Sequence, residues 1–443
     1  MMLSAADCTA LDARPHANAA LASRFATGAA GTIYLDANSI GPMPADAPAR
    51  VAALLDEGWR VARRRSWNQS DWLQQPRALG AALAGVLGCG AGDLLVADST
   101  SVNHYKLLRL ALAAAAPRRV VVVQDDGFPS NRYAAEAIAH AGKAALRGLS
   151  SGTTERNAAP APAPGMPLEG RLEEPLQAAL EEALAPGDVA VVSLSHVDWR
   201  SGERLDMAAL TALAHRHGAL ALWDLSHSAG AVATDLSGCD VDLAVGCGYK
   251  YLCGGPGAPS WLHVHPRWQG RAGAHAWPAM AGWMGHADTF AFARDFVPAP
   301  GVARLQVGTP AVIANAAFAA AAAVWTEVDV PALHERHRSL TETLVQLADE
   351  QLAPRGVALA GPSEHARRGG HVALRFAGGD VQALGQALVA AGVVVSTRKP
   401  DALRLAPHPL TTQHAELWAA VQRLAEVLDS GRWREARFQG PGV

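Results

Sequence analysis

The sequence predicts an α/β protein in which a large, mostly parallel sheet unit is followed by a smaller α+β unit. Three observations carry that expectation. Short apolar runs of strand length alternate with stretches whose apolar residues recur at helical spacing, the pattern of βαβ units. The runs are apolar throughout rather than alternating, as expected of parallel strands covered on both faces. After about Gly308 the texture changes to alanine-rich helix, a second helix, strand-like segments and a final helix. The length agrees. At about 150 residues per domain, 443 residues suffice for one big sheet domain with a smaller one appended.

In chain order, residues 119–124, 188–195, 219–224 and 241–246 read as buried parallel strands, with 260–265 as a further strand. Residues 131–140, 173–184 and 206–217 supply the helices between them, and 105–116 forms another. Residues 151–170, with Pro160, Pro162, Pro164 and Pro167 among alanines, read as an exposed loop between a strand and the next helix. Helices over 311–328 and 331–352 open the second unit. No period of 20–50 residues repeats. Ligands of such sheets bind beyond the carboxyl ends of the strands, so the residues just after each run are where chemistry is sought.

Composition narrows the functional classes. Half of the residues are hydrophobic and 18% are charged, against roughly 25% in typical soluble domains. This leaves apolar surface for an oligomer interface. Gly and Pro together stay well short of the level that marks low-complexity disorder. A net charge of −3 and a pI near 6.6 supply no basic field for nucleic acid or acidic lipid. Arg63, Arg64 and Arg65, the densest basic run, read as a solvated helix face. Residues 1–16 hold Asp7 and Asp12 and lack an apolar core of signal-peptide length. The apolar stretch 110–117 is too short for a bilayer. A soluble, cytoplasmic protein without membrane or nucleic-acid partners is expected. Five cysteines, with no CxxC pair, argue against a disulfide framework or a structural zinc site. Pairs such as His215/His217 and His334/His337 lack the carboxylates that would complete a metal site.

Two strand ends hold the chemistry. Ala219-Leu-Ala-Leu-Trp-Asp-Leu-Ser-His-Ser-Ala-Gly230 puts Asp224 after an apolar run, where it reads equally as the cap of a following turn. Val245-Gly-Cys-Gly-Tyr-Lys-Tyr-Leu-Cys-Gly-Gly-Pro-Gly257 follows, with Lys250 among apolar residues and glycines that let backbone approach a ligand. A lysine partly withdrawn from water can act as an amine nucleophile. With a carboxylate to pair a pyridinium nitrogen, it makes the two groups a pyridoxal phosphate (PLP) enzyme needs. Thr100 and Ser101 stand near a helix N-terminus, where hydroxyls and free N–H groups suit a phosphate. Alone, they read as an ordinary cap.

These spacings resemble the kynureninase family of fold-type-I PLP enzymes, relatives of the class V aminotransferases. The resemblance rests on Tyr34-Leu-Asp-Ala-Asn-Ser-Ile-Gly-Pro42, Arg65-Ser-Trp-Asn68, Asp98-Ser-Thr-Ser-Val-Asn103 and Phe128-Pro-Ser130. It continues through Ser195-His-Val-Asp-Trp-Arg-Ser-Gly202, Trp223-Asp-Leu-Ser-His-Ser-Ala-Gly-Ala231 and Gly246-Cys-Gly-Tyr-Lys-Tyr-Leu-Cys-Gly-Gly-Pro-Gly-Ala-Pro259. Gly282-Trp-Met-Gly-His286, Gly308-Thr-Pro310, Arg368-Gly-Gly-His-Val372, Arg404 and Pro409-Leu410 complete it, in order, over about residues 34–425. It implies the PLP-dependent transferase fold, with an N-terminal segment 1–60 packing on the small domain, a large PLP-binding domain 61–308 and a small domain 309–443.

The resemblance also implies roles. Lys250 carries the cofactor, Asp224 pairs with its ring nitrogen, Phe128 stacks on the ring, and Ser195 and His227 line the site. Thr100, Ser101 and Tyr249 hold the phosphate. Trp283 and Thr309 are implied to reach the same phosphate from a second subunit, giving a homodimer with shared active sites. Arg404 is implied to grip the substrate carboxylate with a bidentate fork, and Trp67 to border its aromatic end. Lys250, Tyr249 and Asp224 form the implied catalytic set. The sequence departs from the family's usual pattern at Asn131 and Ser396, each in place of an aspartate. Trp199 stands for tyrosine, and His104-Tyr105 replaces a more apolar pair.

The implied reaction is hydrolytic Cβ–Cγ cleavage of L-kynurenine or 3-hydroxykynurenine, giving L-alanine and anthranilate or its 3-hydroxy form. Three rivals differ from it. A cysteine desulfurase needs a thiol on a loop well beyond the lysine, and the last cysteine is Cys253. A class V aminotransferase or β-lyase with another amino-acid substrate would share the cofactor residues. A non-enzymatic binding module of this fold would not need Lys250, Asp224 and Arg404 together.

Overall fold

The computed structural model describes residues 2–150, 173–270 and 277–440. The proline-rich loop expected over 151–170 lies outside the described residues. The strands are β1 (Ile33–Tyr34), β2 (Leu94–Val96), β3 (Val120–Gln124), β4 (Ala145–Leu149), β5 (Val189–Ser195), β6 (Leu220–Asp224), β7 (Leu243–Gly246) and β8 (Trp261–Val264). They are followed by β9 (Val357–Leu359), β10 (Val372–Phe376), β11 (Val393–Val394), β12 (Ser396–Arg398) and β13 (Ala402–Leu405).

The large sheet has seven strands in the order β2-β8-β7-β6-β5-β3-β4. Strands β4, β3, β5, β6 and β7 run parallel. Its apolar runs follow from burial on both faces. Val120 and Val122 join one core with Leu79, Leu83, Leu180, Leu210 and Phe318, while Val121 and Val123 join the other with Leu107, Leu110 and Ile138. Successive side chains of a strand point to opposite faces, so both sets must be apolar. Helices Thr100–Ala114 and Pro129–His140 cover one face, and Gln75–Leu87, Glu173–Leu184, Met207–Arg216 and Val312–Trp325 the other.

Four features differ from the sequence expectation. Helix Val312–Trp325, expected to open the second unit, packs instead into the core of the large sheet. The run at 260–265 forms β8, which is antiparallel to β7 and β2. Its link from β7 contains no helix, and a parallel return would need a crossover. Strands β2 and β4 had no signal. One is three residues long, and the other holds Arg147 and Gly148 on the sheet's exposed edge. The helix expected from Tyr105 begins at Thr100, because the Ser99 side chain caps it by accepting from Val102 N.

The second sheet is antiparallel, in the order β12-β13-β10-β9. Helices Val330–Leu347, Val381–Ala390 and His414–Ser430 close a separate apolar core over it. Ile33 and Leu35 belong to that core, and β1 pairs in parallel with β11. Asp12, at the end of helix Ala5–Asp12, accepts from the backbone N–H groups of His414 and Ala415 at the start of the last helix. Among the described residues no single helix is long and apolar enough to cross a membrane.

Candidate active site

The parallel strands end on one side of the large sheet. Strand β3 ends at Gln124, four residues before Phe128; β5 ends at Ser195, β6 at Asp224 and β7 at Gly246, four residues before Lys250. Beyond these ends lies a cavity of about 560 Å³. Thr100, Ser101, Phe128, Asn131, Ser195, Asp224, His227, Tyr249, Lys250 and Thr309 all line it. Ten of the residues singled out in the sequence therefore meet in one place, drawn from positions more than 200 residues apart.

The Lys250 side chain is buried, with Nζ 2.9 Å from His227 Nε2 and 5.9 Å from the ring centres of both Phe128 and Tyr249. Burial, and then the neighbouring Lys250, hold the His227 imidazole well below its usual pKa, so the ring is neutral. As a neutral ring it can accept a hydrogen bond at Nε2. Asp224 is fixed from two sides, accepting from Asn131 Nδ2 at 2.8 Å and from Ser226 N at 2.9 Å. Each carboxylate oxygen has two lone pairs, so capacity remains for a further donor. Burial, and then the Cys247 thiol, push the Tyr249 phenol above its usual range, which keeps its proton in place.

The far end of the cavity is the first turn of helix Thr100–Ala114, whose opening N–H groups have no intrahelical acceptors. Aligned peptide dipoles add positive potential there. An amine, a fixed carboxylate and a helix N-terminus thus face one enclosed volume. PLP, with its aldehyde, ring nitrogen and phosphate, fits that donor set.

Arg404 is placed differently. It projects from β13, is 1% exposed, and does not line the cavity. Its Nε and Nη2 donate to Ser396 Oγ at 3.1 and 2.9 Å, and Nη1 donates to the carbonyl of Trp199 at 2.6 Å. Trp199 is itself a cavity wall, packed edge-to-face on Phe128 at 6.0 Å. Burial, and then Arg398, lower the Arg404 pKa to about 10. Within one chain, Trp283 and Trp67 do not join the site. Trp283 is half-exposed beside Phe290, and Trp67 packs edge-to-face on Trp72 in a shallow surface depression with Trp59, Arg60, Arg63 and Arg64. Thr309 lines the cavity of its own chain.

Sequence reasoning passed over several lining residues. Cys247 bridges Thr100 Oγ1 and Ser226 Oγ at 3.3 Å each. Its place inside the glycine-rich string, directly after the strand end, was the available signal. Asn315 lines the cavity from helix Val312–Trp325; a lone amide on an alanine-rich apolar helix was the available signal. Behind the wall, His104 Nε2 and Ser193 Oγ stand 2.8 Å apart, and burial lowers the His104 pKa to about 4.

Comparison with known proteins adds an independent line. A family model, the kynureninase C-terminal domain, matches residues 333–424. The chain is 40% identical over 402 residues to a kynureninase of Deinococcus radiodurans, covering 90% of each chain. It is 38% identical over 437 residues to a kynureninase of Pseudomonas fluorescens, covering 98% of this chain and 97% of that one. Among solved structures it resembles a cystine C–S lyase in complex with cysteine persulfide, at a TM-score of 0.72 and 20% identity over 90% of this chain and 98% of the other. At that identity the likeness concerns the fold alone.

Proposed function

The chain belongs to the kynureninase family, and on that premise we propose how its residues divide the work of cleaving kynurenine. The protein is a PLP-dependent hydrolase acting on the Cβ–Cγ bond of kynurenine, releasing alanine and an anthranilate. The aminotransferase and β-lyase alternative is not favoured by these relatives. The observation that carries the assignment of residues is the placement of Lys250 Nζ and the Asp224 carboxylate in one cavity, beyond the ends of neighbouring parallel strands.

When bound, PLP supplies an electron sink next to the substrate α-carbon. Lys250 Nζ would hold the cofactor and would be the base that moves the substrate α-proton. The neutral His227 ring, 2.9 Å away, orients Nζ by accepting its hydrogen bond. Asp224, held by Asn131 and the Ser226 N–H, keeps a proton on the ring nitrogen. Thr100 and Ser101 hold the phosphate at the helix N-terminus. Phe128 covers the ring, and Ser195 borders it. Water adds to the γ-ketone, and the hydrate releases the aryl carboxylic acid. Tyr249, which keeps its phenolic proton, can hand one to the β-carbon as the bond breaks. Arg404 receives the substrate α-carboxylate.

The proposal extends to a homodimer with shared active sites, in which Trp283 of one copy reaches the phosphate of the other; Trp67 borders the aromatic end of the substrate, and Thr309 stays with the cavity of its own chain, which it lines. Its support is the exposure of Trp283, Phe290, Phe292 and Val297 together, outside the cavity of their own chain. A cytoplasmic site of action is part of the same reading, checked by fractionation of cells. Mass in solution checks the dimer, and a monomer with full activity would remove it.

The reaction is tested by anthranilate fluorescence after adding L-kynurenine to PLP-loaded protein, with 3-hydroxykynurenine followed by absorbance. Anthranilate with equimolar alanine is the expected result, and the ratio of kcat/KM values names the preferred substrate. Cofactor binding without cleavage of either would overturn the substrate assignment and leave the cofactor assignment standing.

A further inference from the structure

A buried cation that the mechanism does not use stands beside the phosphate end of the cavity. Lys106 belongs to helix Thr100–Ala114 and is 1% exposed. Its Nζ donates to Asp98 Oδ2 at 2.7 Å and to the carbonyl of Leu305 at 2.8 Å. Asp98 lines the cavity, and so do Gln306, Val307, Gly308 and Thr309, which follow Leu305. One ammonium thus joins two walls of the site without lining it. Among the described residues Lys106 is the only ion-pair partner of Asp98. Burial lowers the Lys106 pKa from its ordinary value, and the Asp98 carboxylate opposes that shift.

The local sequence builds this arrangement. The chain leaves β2 at Val96 and enters the helix at Thr100. Asp98 makes the turn between them at a φ of +50°, in the left-handed region that aspartate and asparagine tolerate better than most side chains. Its carbonyl accepts from Ser260 N, and Ala97 N donates to Ser260 O, both at 2.9 Å, so the turn is fixed to the start of β8. Ser99 then caps the helix that Thr100 and Ser101 open. The turn that presents the phosphate-holding residues therefore carries a carboxylate beside them. A phosphate monoester has close to two negative charges at neutral pH, and a like charge in the same wall repels it. An ammonium held 2.7 Å from that carboxylate offsets the repulsion, and its burial keeps salt from screening the pair.

From this geometry we propose that Lys106 is a positioning residue for cofactor binding, neutralising Asp98 and bracing it against Leu305 so that the turn before the helix accepts a phosphate dianion. The inference rests on the assignment of Thr100 and Ser101 as the phosphate holders. It adds that the charge of that wall is set by a pair whose cationic half lies outside the cavity.

The test uses full-length protein freed of cofactor and titrated with two probes, PLP and pyridoxal, which lacks the phosphate. Bound probe is read by absorbance. In Lys106→Met the Kd for PLP is expected to rise roughly ten- to a hundredfold, while that for pyridoxal stays within about threefold, because only the first probe meets the uncompensated carboxylate as an anion. Asp98→Asn keeps a side chain suited to the left-handed turn and is expected to bind PLP no more than about threefold more weakly than wild type. Combining Lys106→Met with Asp98→Asn should return PLP affinity to within about threefold of wild type, the non-additivity expected of a charge pair. This double variant leaves no unpaired charge, so it decides the matter even where Lys106→Met alone does not fold. Equal weakening of both probes in Lys106→Met, or a double variant more than about tenfold weaker for PLP than wild type, would overturn the proposal. The underlying assignment is tested separately by Thr100→Ala, in which the preference for PLP over pyridoxal should fall.

Discussion

In the large sheet, the groups that face the cavity follow the carboxyl ends of neighbouring parallel strands, whereas in the small sheet Arg404 projects from the middle of an antiparallel strand and stands one residue behind the wall. The first arrangement is imposed by topology. Once β5, β6 and β7 lie side by side in parallel, whatever follows their ends is gathered on one side of the sheet. The second depends on register. A slip of one residue in the β12–β13 pairing would turn Arg404 to the opposite face. The cofactor side is therefore tolerant of how the strands are filled, and the substrate side is sensitive to a single pairing.

The sharpest way to break this contrast is to remove the amine. Lys250→Ala should reduce anthranilate release by about a thousandfold or more, and turnover within tenfold of wild type would reject its role. Next in size is Arg404→Lys. A point charge cannot reproduce the fork held by Ser396 and Trp199, so KM for L-kynurenine should rise roughly ten- to a hundredfold while PLP absorbance stays that of the wild type. Loss of the cofactor in that variant would show that the two sides are not separable.

The smallest expected effect lies away from both. Asp12 accepts from the His414 and Ala415 N–H groups and from Arg336, so Asp12→Ala should cost about 1–3 kcal/mol in urea unfolding and leave KM unchanged. Burial alone would raise the Asp12 pKa, but its hydrogen bonds outweigh burial and hold it below the usual carboxylate range. Its contribution is therefore full above that range and is lost as pH falls through the depressed value. Stability of the wild type should drop on the acid side more steeply than that of Asp12→Ala.

The same division explains what could be read from the sequence. Strands β3, β5, β6 and β7 were legible because burial on two faces demands continuous apolar runs, and Asp224 and Lys250 stood out because strand ends are where such sheets do chemistry. Strand β2 is apolar and buried on both faces but is only three residues long, edge strand β4 carries no such demand, and β8 reversed direction because nothing in its apolar composition encodes the turn before it. Arg404 reached the expectation only through resemblance. Its bond to Ser396 belongs to a pairing between strands, and side-chain register across an antiparallel pair leaves no trace in hydropathy. The neutral state of His227 was equally hidden, since it depends on what packs around the ring.

The pairing of β1 with β11 has a consequence for how the chain is made. Ile33 and Tyr34 leave the ribosome long before Val393 and Val394 exist to receive them. At about 5–20 residues per second the wait is roughly 20–70 s. During it a short apolar strand presents open backbone hydrogen-bonding groups to anything nearby, the condition under which nascent chains find wrong partners. The last turn of synthesis, which delivers the closing strand and the helix that meets Asp12, is thus also the moment at which the beginning of the protein finds its place.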